Sequence, residues 1–96
     1  MILHTVSRSP FNSFALKDCV KQLSDNDLLL LLNDAVSAVS ATTDQHSHLL
    51  QLDQSKRLFV LDVDLQARGL KANMGQVVSY AEFVALTIRC QSQLAW

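Results

Sequence analysis

The chain has 96 residues, 49% of them hydrophobic and 18% charged, with a net charge of -1. That length makes one small domain (residues 1–96) that buries roughly 60–65% of its unfolded surface. A charged share below the roughly 25% of an average soluble domain leaves a sparse polar shell, which favours burial of part of the surface against other subunits. The near-neutral balance lacks the clustered basic face of a direct nucleic-acid binder, and the longest unbroken apolar run, Leu28 to Leu32, is far short of the roughly 20 residues that span a bilayer.

Met1 to Thr5 carries no basic n-region and no long apolar h-region, so no secretory signal is expected. Two cysteines, Cys19 and Cys90, do not make a disulfide framework, and a cytoplasmic location with reduced thiols is expected.

In chain order, Ile2 to Val6 reads as a first strand. Ser9-Pro10 reads as a helix start, Ser9 as N-cap and Pro10 in the first turn. Phe11, Phe14, Ala15, Cys19, Val20 and Leu23 then fall on one helical face. The cluster Ser24 to Asp27 ends that helix. Leu28 to Leu32 is too short for a helix and unbroken in its apolarity, the pattern of a strand buried on both faces.

Asn33-Asp34 can cap a second helix that holds Ala35, Val36, Ala38 and Val39. Thr42 to Ser47 reads as a polar loop, and Leu49, Leu50 and Leu52 as a short further helix. Leu58 to Leu61 is another buried-type strand. Asp62 or Asp64 begins a short helix ending at Gly69, a residue suited to the C′ position. Gln76 to Val78 is a last short strand. Ser79 and Glu82 form a capping box, and Phe83, Val84, Thr87 and Ile88 the expected buried stripe of a final helix. This β-α alternation predicts a three-layer α/β domain, a mostly parallel sheet with helices on both faces.

Ligand sites in such a sheet lie beyond the carboxyl ends of the strands. The expected positions there are His4 to Arg8, Asn33-Asp34, Asp62 to Asp64 and Ser79-Tyr80. A sulfur carrier needs a thiolate, stabilised at a helix N-terminus or beside cations. Cys19 instead sits well inside the first helix on its apolar face, and Cys90 near the C-terminal end of the last helix, where the dipole disfavours a thiolate. Both read as structural buried cysteines. His46 and His48 lack the further ligands a zinc site needs, and no cofactor is expected. Asp34, Asp62 and Asp64 invite comparison with a phosphoacceptor site, but the first strand is followed by no acid, and helix capping accounts for them. Arg8 reads as an anion contact or a solvated surface residue, and His4 as a polar ligand or a satisfied buried histidine.

Five segments resemble the TusB/DsrH family. Met1 to Val6 with Arg8-Ser9-Pro10 is similar to the family's "LHT…(K/R)SP" opening. Asp27 to Val36 resembles its apolar strand followed by "(Q/E)DG(V/I)", with Ala35 where the family usually has glycine. Leu61 to Gly69 is similar to "L…DL.ARG", Ser79 to Thr87 to "DY..FV.LT", and Gln93 to Trp96 to the family's C-terminus. The match runs in order along nearly the whole chain.

The resemblance implies a DsrE-like fold and a heterohexamer, a dimer of trimers built with TusC-like and TusD-like subunits. In TusB-like members such a complex relays persulfide sulfur from a TusA-like donor to a TusE-like acceptor, for 2-thiolation of the tRNA wobble uridine. The sulfur-accepting cysteine belongs to the TusD-like subunit, so the implied role here is non-catalytic and interface-forming. DsrH-like members serve sulfur oxidation. Some of them have a cysteine in the first helix, and Cys19 falls at that place, which makes it the one candidate persulfide acceptor of this chain.

Overall fold

A computed structural model describes all 96 residues. Five strands, β1 (Ile2–Val6), β2 (Leu28–Leu31), β3 (Leu58–Leu61), β4 (Gln76–Val78) and β5 (Ser92–Ala95), form one sheet in the order β4-β3-β2-β1-β5. Every pairing is parallel. Around it lie α1 (Ala15–Gln22), a 3-10 helix (Asn33–Val39), α2 (His46–Gln54), α3 (Asp62–Ala67) and α4 (Tyr80–Arg89).

The connections explain the layering. From β1 to β4 the chain steps one way across the sheet, and right-handed crossovers put every intervening helix on the same face. Residues Leu16, Cys19, Val36, Leu49, Leu52 and Leu65 of those helices pack there against Val6, Leu29, Leu31, Leu58 and Val60. The last connection runs back past β1 to the opposite edge, so the same handedness puts α4 alone on the other face. Leu86 and Cys90 cover Leu3, Leu28, Leu30, Phe59, Leu61 and Val78 there. The fold is thus the expected three-layer α/β domain, with a wholly parallel sheet.

The interior strands form as their composition demands. All four residues of β2 and all four of β3 are buried, since each strand has helices above and below it. The Ser79–Glu82 capping box is present, and Gly69 adopts φ +63 just past α3, the left-handed geometry expected of a C′ glycine.

Several expectations fail for identifiable reasons. The first helix does not begin at Ser9-Pro10. Ser9 Oγ accepts a bond from Phe11 N at 3.2 Å, a turn closed two residues ahead instead of an N-cap, and α1 starts only at Ala15. Phe11 and Phe14 are left 61% and 74% exposed. Neither Asn33 nor Asp34 caps the second helix, whose N-cap is Leu32 and whose winding is 3-10. His46 and Ser47 belong to α2 and not to a loop.

In α4 the stripe is rotated. Leu86 and Cys90 are buried with Phe83 half-buried, while Val84 is 39% and Ile88 80% exposed. The chain also does not end on a helix. β5 pairs Ile2 with Ser92 through Thr5 with Ala95, and all four of its residues are exposed. An edge strand open on both faces has no apolar alternation to betray it.

Candidate functional site

Cys19 lies at the fifth position of α1, facing the sheet and fully buried among Leu16, Leu29 and Leu31. Burial, and after it the negative charge of Asp27, push its thiol up to about 12. At neutral pH that leaves a thiolate fraction on the order of one in 10^5. Cys90, the C-cap of α4, is buried on the opposite face of the sheet. The two thiols are therefore separated by the sheet, and both are buried.

The acid near Cys19 organises a buried polar cluster. Asp27 precedes β2 and is 4% exposed. Its Oδ1 accepts the Ile2 N–H at 3.0 Å, and its Oδ2 accepts the Ser24 N–H and the His4 ring nitrogen Nε2, each at 3.0 Å. The Trp96 indole N–H donates to His4 Nδ1 at 3.2 Å, with the two rings stacked. Indole nitrogen can only donate, so Nδ1 accepts and the ring hydrogen sits on Nε2, directed at Asp27. Arg57 Nη1 closes the turn from outside by donating to the Ser24 carbonyl at 3.0 Å. His4 is thus a satisfied buried histidine in the middle of β1, and not a ligand at the strand's end.

Burial by itself would raise the Asp27 carboxyl. The Ser24 N–H, the His4 ring and the Ile2 N–H outweigh it and hold Asp27 below its ordinary value of 3.8. A carboxyl depressed by folding contributes stability that is complete above its unfolded value and is lost as the pH falls through its folded one. The urea midpoint is expected to fall steeply on acidification below about pH 4, and Asp27→Asn to flatten that limb. An equally steep limb in the Asn variant would place the acid sensitivity elsewhere.

The acids at the carboxyl ends of the strands are engaged with their neighbours. Asp64 Oδ2 accepts the Asn33 N–H at 2.7 Å, which holds Asn33 at φ 50, and Asp34 pairs with Arg68 at 3.0 Å. Asp62 accepts a bond from Gln66. None of the three is the N-cap of the helix it sits in, although Asp64 satisfies the first N–H of the 3-10 helix; the first turn of α3 holds Asp62 and Asp64, where its dipole favours an anion. His46 and His48, exposed on α2, sit two residues apart and face different ways.

At the switch point between β1 and β5, where helices pass to opposite faces, a shallow groove is lined by Arg8, Ser13, Phe14, Asp18 and Trp96. It offers a cation, an acid and aromatic surface but no thiol. Sequence reasoning found Arg8 and missed Asp27 and Trp96. Asp27 was legible only as a turn residue, and its partners lie 23 and 25 positions away.

Comparison with known proteins agrees with this architecture. The family model described as "DsrH like protein" matches residues 8–93. Proteins named "Protein TusB" from Yersinia pestis (strain Pestoides F) and Yersinia pseudotuberculosis serotype O:1b (strain IP 31758) are each 38% identical over 98 aligned positions, covering 99% of this chain and 100% of theirs. The crystal structure of the ychN protein from E. coli superposes with a TM-score of 0.78 at 18% identity, covering 99% of this chain and 97% of that one, which shows a shared fold.

Proposed function

This chain belongs to the TusB/DsrH family, and from that premise we propose that it is a non-catalytic, interface-forming subunit of a sulfur-relay complex serving tRNA thiolation. The observation that carries the reading is the full-length relation to proteins named TusB. In this reading the chain assembles with TusC-like and TusD-like subunits in a cytoplasmic heterohexamer, a dimer of trimers. Persulfide passes from a TusA-like donor through the TusD-like subunit to a TusE-like acceptor, for 2-thiolation of the tRNA wobble uridine.

The geometry around the thiols supports the non-catalytic half. Persulfide transfer needs an accessible thiolate at its accepting atom. Cys19 is buried, with a thiol pushed up to about 12, and Cys90 is buried beneath α4. That burial also weighs against a DsrH-like sulfur-oxidation subunit with Cys19 as persulfide acceptor. The large exposed side chains, Phe11, Phe14, Tyr80, Val84 and Ile88 among them, suit a protein that works with partner surfaces.

The test is a co-expressed complex carrying Cys19→Ser. Persulfide transfer is expected at the wild-type rate, and mass spectrometry of the donor-treated wild-type chain is expected to find no gain of about 32 Da, one sulfur atom, on Cys19. An adduct on Cys19, or loss of transfer in a variant complex that still assembles, would overturn the non-catalytic role.

A further inference from the structure

We propose that the outer face of α4 binds a second copy of this chain, helix against helix and antiparallel. The inference goes beyond the relay reading and stands on the helix itself.

A surface helix normally turns polar residues to water, and a helix apolar all round is a buried one. α4 departs from the surface pattern. Leu86 faces the sheet, yet the opposite side presents Tyr80, Ala81, Val84, Ala85 and Ile88, all exposed, with Tyr80 at 67% and Ile88 at 80%. No charged residue interrupts that arc. Its residues also have the relief of a packing surface. Tyr80, Val84 and Ile88, spaced by four, form a ridge, and the small Ala81 and Ala85 form a shallow row beside it. Ridges of this i±4 kind pack into the matching grooves of another helix. A face that carries both ridge and groove can pack against itself about a two-fold axis.

Charge placement selects both the orientation and the second copy. Glu82 and Arg89 border the arc near its two ends. Seven residues apart, they lie within about 20° of one another around the helix. Neither forms an ion pair within the chain. The Glu82 Oε1 accepts the Ser79 N–H in the capping box, which leaves the other carboxylate oxygen available. In an antiparallel pair, each Glu82 lies on the same side as Arg89 of the other copy, twice over. In a parallel pair the two charged edges would fall on opposite sides of the seam, and no Glu82 would meet an Arg89.

The test uses the full chain, alone and co-expressed with the other subunits of its complex. Sedimentation velocity is expected to show a concentration-dependent dimer, and Ile88→Asp to weaken it by about tenfold or more. Ile88 is mostly exposed, so the variant keeps its fold, checked by circular dichroism. In a second arm, mild oxidation is expected to join two copies of Val84→Cys, near the two-fold axis, and not of Leu50→Cys, which is equally exposed on α2. A chain that stays monomeric in every setting, or equal cross-linking at both positions, would overturn the proposal. If Ile88→Asp abolishes co-purification with other subunits while the isolated wild-type chain is monomeric, the face docks a different subunit: the two-copy proposal falls and the relay reading stands. A dimer sensitive to Ile88→Asp in a chain without any sulfur-relay partner would sustain this proposal and remove the relay reading.

Discussion

Asp27→Ala is expected to lower the melting temperature by roughly 12–40 °C, from a loss of about 3–5 kcal/mol at about 4–8 °C per kcal/mol. Three hydrogen bonds to a charged acceptor disappear together, those from Ile2 N, Ser24 N and His4 Nε2. Each such bond contributes about 1.5–3 kcal/mol net, and bonds sharing one acceptor group do not add in full. The larger cost lies in what remains. His4 is 1% exposed, and its Nε2–H would be stranded without water or partner. Against a total stability of about 5–15 kcal/mol the loss is severe. Asp27→Asn is expected to fall between, because its amide NH2 must face one of the three donors. Calorimetry of the three proteins is the measurement, and an Ala variant within about 1 kcal/mol of wild type would show the cluster to be incidental.

Leu29→Ala is expected to cost a similar amount, about 3–5 kcal/mol, by a different mechanism. Leu29 is fully buried, paired in register with His4 on one side and Leu58 on the other, and belongs to the larger of the two cores. Helices close over it and the neighbouring strands fix the backbone, so the cavity has little freedom to collapse. Leu50→Ala is the comparison of equal chemistry: at 39% exposure it leaves no void, and a loss under about 1 kcal/mol is expected. Urea denaturation of both variants decides the matter; equal losses would mean that β2 is not the centre of the core.

These two positions were not equally visible before folding. Leu29 could be placed by eye, because a five-leucine run flanked by polar residues has no good home except an interior strand. Asp27, one residue before that run, looked like turn material. The turn role is real, since Ser24 N bonds its side chain, but it is the smaller part of what Asp27 does. Cys19 was placed correctly as a buried thiol from its helical neighbours alone. Phe11 and Phe14 were placed wrongly: their spacing continues the apolar face of α1, but the helix begins after them. Periodicity reports which residues would share a face if the helix reached them, not whether it does. The same limit misplaced the stripe of α4, in which apolar residues occupy nearly every side and no polar arc marks the outer one.

By itself, then, the sequence determined the parallel α/β layering, the two wholly buried strands β2 and β3, the capping box at Ser79, the C′ glycine at Gly69 and the family. Each is written in neighbouring residues, or in motifs kept in order along the chain. The tertiary structure alone decided that Ser92 to Ala95 becomes a strand beside β1, that Trp96 bonds His4, and that Asp27 is the shared acceptor beneath Cys19. It also decided that α4 covers its sheet face alone and turns Tyr80, Val84 and Ile88 to solvent. The physical reason is separation along the chain. Residues 4 and 96 meet only because a right-handed crossover returns the chain past β1, and no local propensity encodes a contact that the path of the whole chain creates.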